Sequence, residues 1–198
     1  TTGANNVAVG FEALKNENGH GQNTAVGVQA LLSLDAGQNG RSTAVGYQTL
    51  AAATTGIDNN ALGYQAMDAL TTGGDNNAFG VGALGTLTTG GANCAFGHGA
   101  IDACVSGSGN TGMGQNVLTA CTGSNNTAIG YQAGFSTTTP AQNVFVGYQA
   151  GYDNTTGQYN VAIGGNQAGN NCTTGSFNVY IGYLSNASSG GVNGELVL

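Results

Sequence analysis

The chain has little with which to hold a polyanion or do acid–base chemistry. Among 198 residues there are two basic side chains, Lys15 and Arg41, against nine carboxylates, giving a formal charge of −7. Nucleic-acid binding needs a basic stripe that neutralises phosphates, and none is present. The same shortage disfavours an anionic membrane surface. No run of about eighteen apolar residues occurs, so no segment reads as a membrane-spanning helix. His20 and His98 are the only histidines, and they stand far apart. Nucleophilic catalysis needs a base beside the nucleophile, so the chain is expected not to be an enzyme and to carry no cofactor or catalytic metal. Trp is absent, Pro140 is the single proline, and four cysteines are too few for a dense disulfide framework. Charged residues make up only 6%, which also argues against a disordered acidic tail.

What is abundant is glycine, 37 residues, and one short phrase written again and again. "NNTAIGYQAG" at 125–134 has near-copies throughout. Aligned on the glycine that closes A-x-G, the copies place Gly10, Gly27, Gly46, Gly63, Gly80, Gly97, Gly114, Gly130, Gly147, Gly164 and Gly182 in one column, with a 17-residue period. Four residues before this anchor stands Asn in every copy but one, where Ser42 replaces it; the column includes Asn59, Asn76, Asn93, Asn110, Asn126, Asn143 and Asn160. Two before it is usually Ala, and one before it always an apolar residue, from Val9 to Ile181. An aromatic often follows the anchor, as Tyr47, Tyr64, Tyr131 and Tyr148, and then Gln. The chain opens on "TTG", the middle of its own repeat, which reads as a piece of a longer polypeptide.

N-x-A-V-G alternates over five positions with the period of a strand. A five-residue strand and a Gly turn every 17 residues suit one coil of a β-solenoid, so the fold expected is all-β: a parallel β-solenoid, or β-roll, of about eleven coils. Like residues would then stack one interstrand distance apart in a rod roughly 50 Å long. The asparagines would form an amide ladder, each side chain satisfying the next. A column of Ala buries little area, so lateral association in a closed cyclic oligomer is expected. The alternative is a monomeric solenoid filled by its own Leu column. Through Leu118, Leu, Met or Ile stands four after the anchor and a second apolar column seven after it, as in "QAMDAL", which could be one helical turn pressed on the strands. From Gly130 the first of these becomes glycine (Gly134, Gly151) followed by an aromatic (Phe135, Tyr152). This divides the chain into repeats with Leu columns (1–118), GYQAG-type coils (119–184) and an exit segment (185–198), where Glu195–Leu198 could begin another strand.

With these columns aligned, N-[TV]-A-[VI]-G resembles the head repeats of trimeric autotransporter adhesins, and "TTGGDNNAFG" and "SNNTAIGYQAG" are similar to repeats of phage tail fibres and bacterial surface fibres. The resemblance covers about Thr1 to Tyr183. It implies a homotrimeric, extracellular or virion-borne fibre that adheres to a cell surface through a glycan or protein receptor; the period is longer than in the adhesin heads.

Smaller features admit two readings each. Asp58 and Asp75 share one column and with Asn59 and Asn76 could hold Ca²⁺; two solvated acids on a turn is the favoured reading. Cys104 and Cys121 share a column at a spacing a disulfide can bridge, although buried free Cys also serves as a small hydrophobe, the favoured reading. Tyr47, Tyr64, Tyr131 and Tyr148 are candidate surface-binding residues or a structural aromatic ladder. Recurring Thr pairs, such as Thr54-Thr55 and Thr71-Thr72, raise ice binding as an alternative to a fibre, with the column broken at Val105-Ser106 and Cys121-Thr122. A polysaccharide-binding β-helix is a further alternative.

Overall fold

A computed structural model describes residues 3–19, 21–139 and 141–198, so His20 and Pro140 lie outside the described residues. Among the described residues, twelve short strands follow one another: β1 (Val7–Val9), β2 (Thr24–Val26), β3 (Thr43–Val45), β4 (Asn60–Leu62), β5 (Asn77–Phe79), β6 (Cys94–Phe96), β7 (Thr111–Met113), β8 (Thr127–Ile129), β9 (Val144–Val146), β10 (Val161–Ile163), β11 (Val179–Ile181) and β12 (Leu196–Val197). They form one sheet in chain order, each strand parallel to the next. Like pairs with like: Ala44 with Ala61, Ala61 with Ala78, Ala78 with Ala95. Parallel neighbours linked by a single turn of chain make a parallel β-solenoid, and no helix occurs among the described residues. The strand anticipated near Glu195–Leu198 forms over Leu196–Val197 and pairs with β11.

Strands β1 to β11 are three residues long and β12 two, shorter than the five suggested by the alternation. The backbone cuts the repeat strands at both ends. The residue before each ladder position is left-handed, with φ between 46° and 70°, and the anchor glycine closes the strand at φ between 124° and 153°. The anchor must be glycine for a second reason. A Cβ on Gly63 would lie 2.3 Å from the carbonyl oxygen of Gly80, and the same approach recurs from Gly10 through Gly164. The coils stack so closely here that a side chain has no room.

The segment "QAMDAL" is not a helical turn. Gln65 and Met67 have φ of 52° and 50°, whereas a right-handed helix needs φ near −60°. Two linked turns form instead; in the second, the Leu70 N–H donates to the Met67 carbonyl at 3.2 Å. The left-handed kinks swing Met67 and Leu70 inward. Leu14, Leu31, Leu50, Met67, Leu84, Ile101 and Leu118 are all fully buried within the single chain, as are Leu34, Leu70 and Leu87. The Leu columns therefore fill the interior, and the stack closes its own core without a neighbour's side chains.

The cross-section changes by an exchange of volume between columns. Where Gly134 and Gly151 replace Leu, Phe145 replaces Ala on the strand and lies in the space released. A Cβ on Gly151 would sit 2.3 Å from its ring, and one on Gly134 2.8 Å from it. Tyr180 repeats the exchange beside Gly169. Volume-conserving swaps of this kind keep a core packed.

Hydrogen bonds also locate the irregular repeats. The 16-residue repeat lacks its second Thr: the Thr122 hydroxyl donates to the Thr138 carbonyl as a first Thr does, and Gly123 follows directly. The longer repeat after Gly164 carries its extra residue at Gly165–Asn166, because Gln167 bonds to Gln149 as the glutamines of regular coils do.

Candidate functional site

The ladder asparagines point inward and run in a continuous file. Asn59, Asn76, Asn93, Asn110, Asn126 and Asn143 are fully buried, and Asn160 nearly so. The Asn76 N–H and Nδ2 both donate to the Asn59 Oδ1, at 3.0 and 3.1 Å, and the same Nδ2 reaches the Gly90 carbonyl at 3.0 Å. Asn93 repeats this on Asn76 and Gly107, and Asn110 on Asn93 and Gly123. Asn126 and Asn143 continue it, and the Asn160 N–H donates to the Asn143 Oδ1 at 2.8 Å. Ser42 keeps the file intact, accepting from the Asn59 N–H and donating to the Gly40 carbonyl. At the far end the Glu195 N–H takes the Asn178 Oδ1 at 2.8 Å. This file is a structural element and has no opening to solvent.

A second amide ladder lies outside and went unread as such in the sequence, although its glutamines were visible there. The Gln29 Nε2 donates to Glu12, Gln48 to Gln29 and Gln65 to Gln48; the file resumes with Gln149 on Gln132 and Gln167 on Gln149. It lapses at Gly82 and Gly99, where the column has no side chain.

The feature most suited to contact is the outward strand face. Strand alternation turns Ala inward and exposes the residues on either side of it. The apolar column one before the anchor is therefore on the surface: Val9, Leu62, Phe79, Met113, Ile129, Ile163 and Ile181 are exposed, and Val26, Val45, Phe96 and Val146 half-buried. Beside it runs the column after the anchor, with Tyr47, Tyr64, Tyr131 and Tyr148 between 42% and 50% exposed. Tyr47 and Tyr64 stack with centroids 5.3 Å apart, Tyr131 and Tyr148 at 5.7 Å, and Phe79 and Phe96 at 4.6 Å. The strand column three before the anchor completes the face. No Asp, Glu, Lys or Arg occurs in any of these three columns, so the charges of the chain all lie elsewhere. The face thus mixes exposed apolar and aromatic side chains with uncharged Thr and Asn, a composition suited to contact.

The charged and nucleophilic groups do not gather. The Arg41 guanidinium grips both carboxylate oxygens of Asp58 and holds its pKa below the usual range, while Asp75 is exposed; no cluster of three metal-ligating residues occurs among the described residues. Burial raises the pKa of Asp68 and of Asp102, in the latter against the pull of His98. Cys104 and Cys121 are buried free thiols, and burial together with Cys104 pushes Cys121 up to about 12. Their sulfurs accept weak contacts from Asn110 and Asn126. The first Thr of each pair spends its hydroxyl on the next coil, Thr54 on the Thr71 carbonyl, Thr71 on Thr88 and Thr155 on Thr173. The second Thr, as at Thr55, Thr72 and Thr89, is exposed in a single file.

No known protein family matches the chain, and no curated protein or solved structure shows significant similarity to it.

Proposed function

We propose that this chain is a rod segment of an extracellular or virion-borne fibre, assembled from copies of itself, that takes part in attachment to a cell surface. The observation that carries the reading is the strand face running along the stack, free of Asp, Glu, Lys and Arg and rich in exposed apolar side chains. Its rows repeat at the interstrand distance, about 4.8 Å. A partner with no such repeat would match it at a few coils only, whereas a second copy matches at every one.

The size of the face agrees. About 50 Å of stack by about 13 Å of strand is roughly 650 Å² per copy, or about 1,300 Å² for a pair, within the range of stable protein–protein interfaces. Three copies around one axis is the closed arrangement suggested by the repeat phrase. The self-filled core and twin amide ladders support the mechanical part of the reading, since each coil is held to the next by backbone and side chain together.

Native mass spectrometry tests the assembly, with three chains per particle expected. Leu62→Asp with Met113→Asp places two charges on the face and should leave folded single chains. A wild-type monomer at micromolar concentration would refute self-assembly. Cys94 is a built-in reporter: it is half-buried on this same face, so native alkylation should be slow in the assembly and faster in the double variant. Attachment is tested separately, by binding of the labelled assembly to cells.

A further inference from the structure

One exposed pair of rings is absorbed neither by the core nor by the strand face. Tyr159 and Phe177 occupy the column just before the buried asparagines. Their rings stack with centroids 4.8 Å apart and planes within 7°, and they are 45% and 62% exposed. Both are left-handed, with φ of 57° and 63°.

That conformation is demanded of this column in every coil; Gln22, Arg41, Ala92 and Gln142 adopt it as well, and the other coils meet it with residues suited to it. Asn5, Asp58, Asp75, Gly109 and Asn125 stand there, the types that tolerate φ > 0 most readily. Bulky aromatics tolerate it poorly, and here they gain little burial in return. Strain held at an exposed position points from conformation to function.

The surroundings define the ligand. Gly194 is next in the column and carries no side chain that could stack on Phe177, which is left 62% exposed. The adjoining column holds Gln158, Ser176 and Asn193. Ser176 Oγ accepts from the Gln158 N–H at 3.0 Å and keeps its own proton to donate. Asn193 accepts from the Ser176 N–H through Oδ1 at 2.7 Å, leaving its Nδ2 to donate outward. The Glu195 carboxylate is turned to the Ser188 N–H and the Tyr180 hydroxyl. An aromatic face bordered by neutral hydroxyl and amide groups suits a pyranose, whose C–H face stacks while its hydroxyls exchange hydrogen bonds.

We infer that Tyr159 and Phe177, with Gln158, Ser176 and Asn193 beside them, form a binding site for a neutral carbohydrate. The inference deepens the attachment reading and rests on it for its biological setting, but binding is measurable on the chain itself and does not depend on the assembly state.

The test is titration of the intact chain with maltohexaose, cellohexaose and mannohexaose, followed by saturation-transfer NMR. At least one should bind, and Tyr159→Asn with Phe177→Asn should weaken it at least tenfold. Asn125 already occupies this column left-handed, so the variant is compatible with the fold, and an unchanged circular dichroism spectrum checks it. Thr72→Ala with Thr89→Ala, two exposed positions outside both the strand face and the ring site, should leave the affinity within twofold. No binding by any of the three sugars, equal binding by the first variant, or equal loss in the second would each overturn the site. So would cell binding that survives glycosidase treatment and is lost on proteolysis, which would assign the rings to a protein partner. The mass of the native assembly answers the fibre reading independently of all four outcomes.

Discussion

Replacing Asn93 by Ala in the middle of the buried ladder should be among the most damaging single changes the chain can undergo. Asn93 is fully buried. Its Oδ1 is the acceptor for the Asn110 N–H at 2.9 Å, and its Nδ2 donates to the Gly107 carbonyl at 2.9 Å. Alanine removes both partners at once and leaves the Asn110 N–H and the Gly107 C=O buried without one. The Asn110 Nδ2 suffers less, because it still reaches the Gly123 carbonyl. Two orphaned backbone groups at about 1–3 kcal/mol each give about 4 kcal/mol as a central expectation. For a chain of this length that corresponds to a fall in Tm of about 10 °C.

Asn93→Ser should cost roughly half as much. Ser42 shows how a hydroxyl serves in this file, accepting from the next N–H while donating to a glycine carbonyl. Asn77→Ala is the control, since the Asn77 side chain is only half-buried and its one side-chain bond, from Asn60, lies outside the core; a loss under about 1 kcal/mol is expected. Urea melts of the three variants followed by circular dichroism measure the series. If Asn93→Ala costs no more than Asn77→Ala, the buried ladder is not what holds coil to coil.

Gly151→Ala should destabilise the chain by at least about 2 kcal/mol, because the new methyl meets the Phe145 ring at 2.3 Å and φ there is 63°; Phe145→Ala added to it should restore part of the loss, and thermal melts of the two variants check the rescue. Acid should loosen the β12 end first. The Ser188 contacts lower the Glu195 pKa, so its contribution is present above the ordinary carboxylate pKa and lost as pH falls through the lower folded value. Hydrogen exchange around Ser188 and β12 should therefore accelerate below about pH 4, and Glu195→Gln should abolish the pH dependence there. Thiol alkylation with mass spectrometry should label four cysteines per chain in denaturant and leave Cys104, Cys121 and Cys172 unlabelled in the native state; two labels in denaturant would show a disulfide.

The stacking order was legible because it is arithmetic. A 17-residue period with Asn, Ala and Gly in fixed columns leaves a parallel stack as the arrangement that puts like on like, and the strand pairings follow it residue for residue. The path between strands was not legible. Apolar residues three apart read as a helical turn, yet the spacing of Met67 and Leu70 is produced here by two left-handed residues, Gln65 and Met67, that composition does not announce. The outward strand face was hidden for a related reason. Alternation shows that Ala and Ile129 lie on opposite sides of the strand, and the small side is the interior only because the Leu columns of the turn fill the space behind it.

The exchange around Phe145 shows what a stack of this kind allows to vary. The backbone path is set by the anchor glycines and the amide file, both of which run unchanged through the coils where the core residues trade size. Leu can leave the column four after the anchor only if something on the strand grows to meet the gap, and in the same region Ala becomes Phe145 as Leu becomes Gly134 and Gly151. A change in one column alone would leave either a cavity or a clash. Interior positions are thus coupled in pairs across each coil, while outward positions are coupled only to their neighbours above and below. That freedom outside is why one coil can carry Asn125, and later ones Tyr159 and Phe177, at the same left-handed point without disturbing the rod. A repeat whose inside is so constrained is free to vary only on its surface, one column at a time.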